Sequence, residues 1–128
     1  MTMGFPSPAL DYHEERISLD KELIAHPNAT YFMRMDGASM ISAFIPPGAL
    51  LVVDRSLVPK NMDVVIASVD GNFMARYLRK NDHKAWLVPA NSKMQEQLIT
   101  PELAVTIWGV VIAVVTEPSK LSVDVRPC

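Results

Sequence analysis

The chain is nearly devoid of cysteine: Cys128 is the only one among 128 residues. No intrachain disulfide, zinc knuckle or Cys-x-x-Cys redox pair can therefore hold or operate the fold. No Gly-rich phosphate loop, Gly-x-Ser-x-Gly elbow or His-Glu-x-x-His pattern occurs, which removes support from most enzyme classes. An excess of positive charge is also missing. Lys and Arg number 12 against 14 Asp and Glu, a formal charge of −2. The chain thus lacks the global basic field that drives non-specific binding to DNA or to an anionic membrane, and no direct nucleic-acid binding is expected. Ile107 to Val115, the longest uncharged run near the end, falls short of the roughly 20 apolar residues a membrane helix needs. The opening MTMGFPSP lacks the basic and apolar regions of a signal peptide, so a cytoplasmic chain without membrane contact is expected. His13, His26 and His83 are far apart and share no spacing with acidic residues, so no metal or cofactor is expected.

What is present is enough apolar material to fold. Hydrophobic residues make up 49% and charged residues 20%, within the globular range, and the length suits one domain. Pro6 and Pro8 favour an extended opening. Ser18 can cap a short helix in which Asp20 and Glu22 suit the positive end and Leu19, Leu23 and Ile24 share a face; Pro27 should stop it at His26. From Tyr31 onward the texture is β-type: Tyr31 to Asp36, Leu50 to Asp54, Met62 to Val69, Phe73 to Arg79, Ala85 to Pro89 and Val105 to Thr116. Asp70-Gly71 reads as a two-residue hairpin turn. Gly109 interrupts the last run and predicts a bulge or bend. The expected organisation is an extended arm over 1–16, a mainly β domain over 17–116, and a tail or edge strand over 117–128, where Leu121, Val123 and Val125 alternate.

Two clusters could carry chemistry. Arg76 to Lys80 with Lys84 form a small basic group, read as a solvated hairpin end because Asp70 and Asp82 lie close by. Gly37-Ala38-Ser39-Met40 puts a serine in a tight turn after a predicted strand, where backbone amides can converge. That geometry suits a nucleophile, Ser39, with an oxyanion site formed by Gly37, Ala38 and Met40. A serine after a glycine is also a common turn residue, so the motif alone is a weak signal.

Longer segments add to it. Gly4-Phe5-Pro6-Ser7-Pro8-Ala9, His26-Pro27-Asn28-Ala29-Thr30-Tyr31-Phe32, the Ser39 turn, Gly48 to Asp54, and Trp108-Gly109-Val110-Val111-Ile112 resemble the LexA and UmuD family of self-cleaving serine peptidases, specifically its UmuD branch. The resemblance implies a fold like the family's C-terminal domain, with curved, partly barrel-like antiparallel strands and one short N-terminal helix. It also implies a serine/lysine dyad, in which a neutral lysine takes the serine's proton for attack on the protein's own N-terminal arm. The position of that base, 37 residues after Ser39, holds Arg76. A lysine can lose its charge when desolvated. A guanidinium cannot, and it offers donors without an acceptor lone pair. Lys80 is expected about 13 Å further along the strand, and Lys84 lies in the following turn. Alternation leaves the direction of Arg76 open, because Met74 and Leu78 on its side and Phe73, Ala75 and Tyr77 on the other are all apolar.

The family's cleavage junction corresponds to Met3-Gly4, so the chain is expected to resemble the shortened, processed UmuD form. By resemblance, the expected function is a non-catalytic accessory subunit of error-prone translesion synthesis in the SOS response. It would form a homodimer, bind a UmuC-like Y-family DNA polymerase, and work beside a RecA filament. The run Val105 to Val115 with Trp108 is a candidate dimer surface, core being the other reading. The alternative is an active serine peptidase that cleaves another chain through Ser39. The dimerisation domain of a phage-type repressor fits less well, because no DNA-binding module precedes the domain.

Overall fold

The computed structural model describes residues 16–120. The Met3-Gly4 junction and the alternation at Leu121, Val123 and Val125 lie outside the described residues. Seven strands build one antiparallel sheet: β1 (Thr30–Arg34), β2 (Leu50–Asp54), β3 (Asp63–Val69), β4 (Asn72–Lys80), β5 (Ala85–Val88), β6 (Gln97–Leu98) and β7 (Val105–Val115). Their spatial order is β1-β2-β7-β3-β4-β5-β6, so the last long strand inserts between β2 and β3. The fold is mainly β with one short helix, as the sequence predicts; the sheet ends at β1 and β6 rather than closing. Among the described residues no helix is long and apolar enough to cross a membrane.

β3 is buried on both faces. Val65, Ala67 and Val69 join Leu78, Leu87 and Val110 in one cluster. Ile66 points to the other, with Met35, Met40, Leu51, Val53 and Ala75. This is why the sequence of β3 is a nearly unbroken apolar run rather than an alternation. Asp70 and Gly71 both take positive φ, 49° and 85°, and Val69 pairs with Asn72, which is the geometry a right-twisted two-residue hairpin requires.

The helix α1 (Leu19–Leu23) is capped by Ser18, whose Oγ accepts from the Lys21 amide. It is shorter than the predicted stop at His26: Ile24 is already extended. The expected apolar face does not reach the core, since no helix residue is buried and Leu19 is 67% exposed. The segment after the helix is held instead by a polar contact. His26 Nδ1 donates to Asp54 Oδ2 at 2.6 Å, and the Arg55 amide donates to Ala29 O at 2.8 Å. Asp54 is 1% exposed, and its other oxygen accepts from the amide and hydroxyl of Ser56 at 2.8 and 2.6 Å. These bonds offset the cost of burying a carboxylate.

β7 carries two irregularities. Its register shifts by one residue against β2, between Val52 and Val53, and against β3, between Ile66 and Ala67. The second shift leaves Trp108 without a cross-strand partner on β3, beside Gly109. A Cβ at Gly109 would stand 2.6 Å from Val53 Cγ1 and 3.3 Å from Asp54 O. The predicted bend is thus a point of close backbone approach, where only glycine fits.

Two stability predictions result. Gly109→Ala is expected to destabilise by about 1–3 kcal/mol, because the stiff Val53 must move; urea denaturation checks this. The second concerns acid. The Ser56 hydroxyl foremost, then His26, hold the Asp54 carboxyl below its ordinary value of 3.8 against the opposing effect of burial. A depressed folded-state pKa stabilises above the unfolded value and ceases to do so as pH falls through the folded one. Wild-type denaturation midpoints should therefore drop below about pH 4. Asp54→Ala should cost about 1–3 kcal/mol at neutral pH and flatten that acid limb; an unchanged limb would refute the assignment.

Candidate active site

After β1 the chain turns sharply. The Met35 amide donates to Ala49 O and Met35 O accepts from Gly48, both at 2.8 Å. Gly37 then takes φ 81°, a left-handed conformation that glycine adopts without steric cost. Ser39 follows at 7% exposure, and the Met40 side chain is fully buried in the core beneath it. A single 3-10 turn, Ile41–Ala43, leads away.

A second segment grips this turn. Ser39 O accepts from the Ala90 amide at 2.8 Å, Ala38 O accepts from Asn91 Nδ2 at 2.9 Å, and the Ser42 amide donates to Ala90 O at 2.8 Å. Ala90 and Asn91 were not singled out in the sequence. The available signal was the Pro89-Ala90-Asn91-Ser92 run, whose asparagine is suited to hydrogen bonding nearby backbone.

Arg76 sits in mid-β4, paired with Val65 of β3. Its Nη1 donates to Ser39 Oγ and to Ala75 O, each at 2.8 Å. Burial lowers its pKa from the ordinary guanidinium value, but a guanidinium stays protonated at neutral pH. A cation beside Oγ favours the alkoxide electrostatically, yet this one has no lone pair with which to receive the proton.

Neither nearby lysine reaches the hydroxyl. Lys80 Nζ donates to Pro59 O at the far end of β4, and Lys84 lies in the Asn81–Lys84 turn with its amide on Asn81 Oδ1. The basic cluster is therefore dispersed. Arg79 pairs with Glu96 at 2.6 and 2.9 Å and stacks on Trp86 at 4.5 Å, while Lys80 to Lys84 are exposed, in keeping with a solvated hairpin end.

Ser39 and Arg76 border a cleft of about 450 Å³. Its wall comes from Met33 to Ser39, from Phe73 to Arg76, and from Asn91 and Met94, with Leu51 and Ile66 behind. No lysine or histidine of the described residues lines it; the charged groups are Arg34, Asp36 and Arg76. Arg34 is engaged by Gly48 O and Glu117. The site therefore joins a positioned serine and an extended, largely apolar groove to a fixed cation.

Known proteins resemble this chain over most of its length. Residues 1–112 match the Peptidase S24-like family. The chain is 40% identical over 118 residues to protein ImpA of Salmonella typhimurium, spanning 92% of this chain and 80% of ImpA. It is 38% identical over 112 residues to protein MucA of Escherichia coli, 87% of this chain and 76% of MucA. It is 41% identical over 110 residues to protein SamA of Salmonella typhimurium strain LT2, 86% and 76% of the two chains. With this coverage and the fold in hand, the chain belongs to the Peptidase S24-like family of LexA and UmuD type, in its UmuD branch.

Proposed function

We propose that this protein is a UmuD-type accessory subunit of mutagenic DNA synthesis that has lost peptidase chemistry, with Ser39 in the nucleophile position and Arg76 in that of the general base. The observation that carries this reading is the 2.8 Å contact from a permanently protonated guanidinium to Ser39 Oγ. A general base accounts for about 10²–10⁴-fold of rate, and a hydroxyl without one is a poor nucleophile at neutral pH. Gly37, Ala38 and Met40 remain as the vestige of an oxyanion turn in this reading. Work of the subunit then lies in binding: a homodimer associated with a UmuC-like Y-family polymerase, beside a RecA filament.

The dimer surface we favour centres on Trp108. Tyr31 and Phe73 meet its ring edge-on at 5.3 and 6.0 Å, and the Arg55 guanidinium lies 4.4 Å from its centroid. Tyr31 is 45% and Phe73 57% exposed, and aromatic and arginine anchors of this kind dominate interface energetics. The preserved cleft favours a second reading, a peptidase that cuts another chain through Ser39 with a base supplied from elsewhere.

Incubation with an uncleaved, arm-bearing relative separates the two. Wild type should leave it intact, and cleavage abolished by Ser39→Ala would overturn the proposal of silence. Arg76→Lys places a group that can deprotonate next to Oγ, and is expected to raise cleavage about 10²-fold. For the interface, sedimentation should show a dimer that Trp108→Ala weakens about thirtyfold or more; a monomer at all concentrations would sink the assignment.

A further inference from the structure

We infer that the Ser39–Arg76 cleft captures the free C-terminal carboxylate of an extended peptide whose preceding residues are apolar. The inference rests on the reading that Ser39 is not activated, and it assigns the site a ligand in place of a reaction.

Three observations support it. Of the five N–H donors of Arg76, only those on Nη1 are engaged among the described residues, on Ser39 Oγ and Ala75 O. No carboxylate of those residues forms an ion pair with it. Nη2 and Nε are not buried, so an anion can accept from both in a charge-assisted pair without displacing a protein contact. Second, the amides of Gly37, Ala38, Ser39 and Met40 make no hydrogen bond among the described residues, and they belong to the turn that borders the same cleft. Consecutive unpaired amides next to a guanidinium are the chemistry by which proteins hold a chain terminus.

The third observation is the character of the groove. Met33, Met35, Met74 and Met94 line it with Phe73. Flexible thioethers adapt to varied apolar side chains, so they suit a peptide of loosely specified sequence. Arg34 is paired with Glu117, and Asp36 forms no ion pair with Arg76, so Arg76 is the cation of the wall that has no carboxylate partner among the described residues. An internal peptide carbonyl passing Ser39 would leave that charge uncompensated, whereas a chain that ends there supplies a full negative charge. A side-chain carboxylate supplies the charge as well, but its stem places the backbone away from the turn amides; a terminal carboxylate meets both donor sets directly.

The test uses fluorescence anisotropy of a labelled Ala-Val-Leu-Val-Ala peptide with the full chain. Three forms are compared: the free acid, the C-terminal amide, and an amide whose last residue is Asp. The free acid is expected to bind about tenfold or more tightly than the plain amide, and Arg76→Met should erase that preference. Equal binding of acid and amide, absence of binding by all three, or a preference that persists in Arg76→Met would overturn the inference. The Asp-bearing amide binding as well as the free acid would overturn the commitment to a chain terminus. Should Arg76→Met fail to fold, a sodium chloride series on wild type decides, since the acid preference must shrink as salt rises and a constant preference refutes it. Mass spectrometry of the uncleaved relative after incubation keeps the two readings apart. Ser39-dependent cutting defeats the proposed silence, whereas an intact chain together with equal binding of acid and amide defeats this inference alone.

Discussion

The hydrogen bond from Arg76 to Ser39 joins two points 37 residues apart, and what the cleft can do chemically depends on which group makes it. An amine in that position could give up its proton on desolvation and then accept one. A guanidinium spreads its charge over three nitrogens, keeps its protons, and presents donors alone. The two groups are similar in reach and charge, so the fold can accept either. Arg76 still takes its place in the β3–β4 ladder and the serine turn is still gripped by Ala90 and Asn91. A change confined to one side chain can therefore convert the chemistry of the site while leaving its scaffold intact.

The scaffold has its own logic. Inserting β7 between β2 and β3 joins the β1–β2 pair, which flanks the serine turn, to the β3–β4 hairpin that carries Arg76. Gly109 lets β7 come close to Val53 and Asp54. Asp54 then secures the segment before β1 through His26. The entrance strand to the serine turn is thus fastened at one end by a buried carboxylate and at the other by Met35 with Gly48 and Ala49. The turn is rigid because both of its flanks are anchored in the sheet and its plug, Met40, is fully buried.

Local signals in the sequence carried much of this. β2 was legible to the residue because Pro46, Pro47 and Gly48 break the chain before it, and the Asp70-Gly71 hairpin because few other residue pairs tolerate positive φ in succession. Features that depend on distant partners were not legible. His26 bonds to a carboxylate 28 residues away, and this long-range contact, along with the extended bias of a residue before proline, accompanies a helix shorter than its capping pattern suggested. β6 consists of Gln97 and Leu98, both exposed, too short for any periodicity to mark. The grip of Asn91 on Ala38 likewise joins residues 53 apart.

Arg76 shows the limit most clearly. Both faces of β4 are apolar because both pack: Ala75 belongs to one core cluster and Leu78 to the other. Alternation identifies a buried face only when the opposite face is wet, so in a strand covered on both sides it cannot say where a lone charge points. The residue type was informative all the same. Long arginine stems can project their heads to solvent, and the inward direction is stable here because the head finds Ser39 Oγ and the Ala75 carbonyl within its own cleft. The same fact limits the chemistry: the bonds that make burial of this charge tolerable draw on the oxygen that a peptidase would need free to attack.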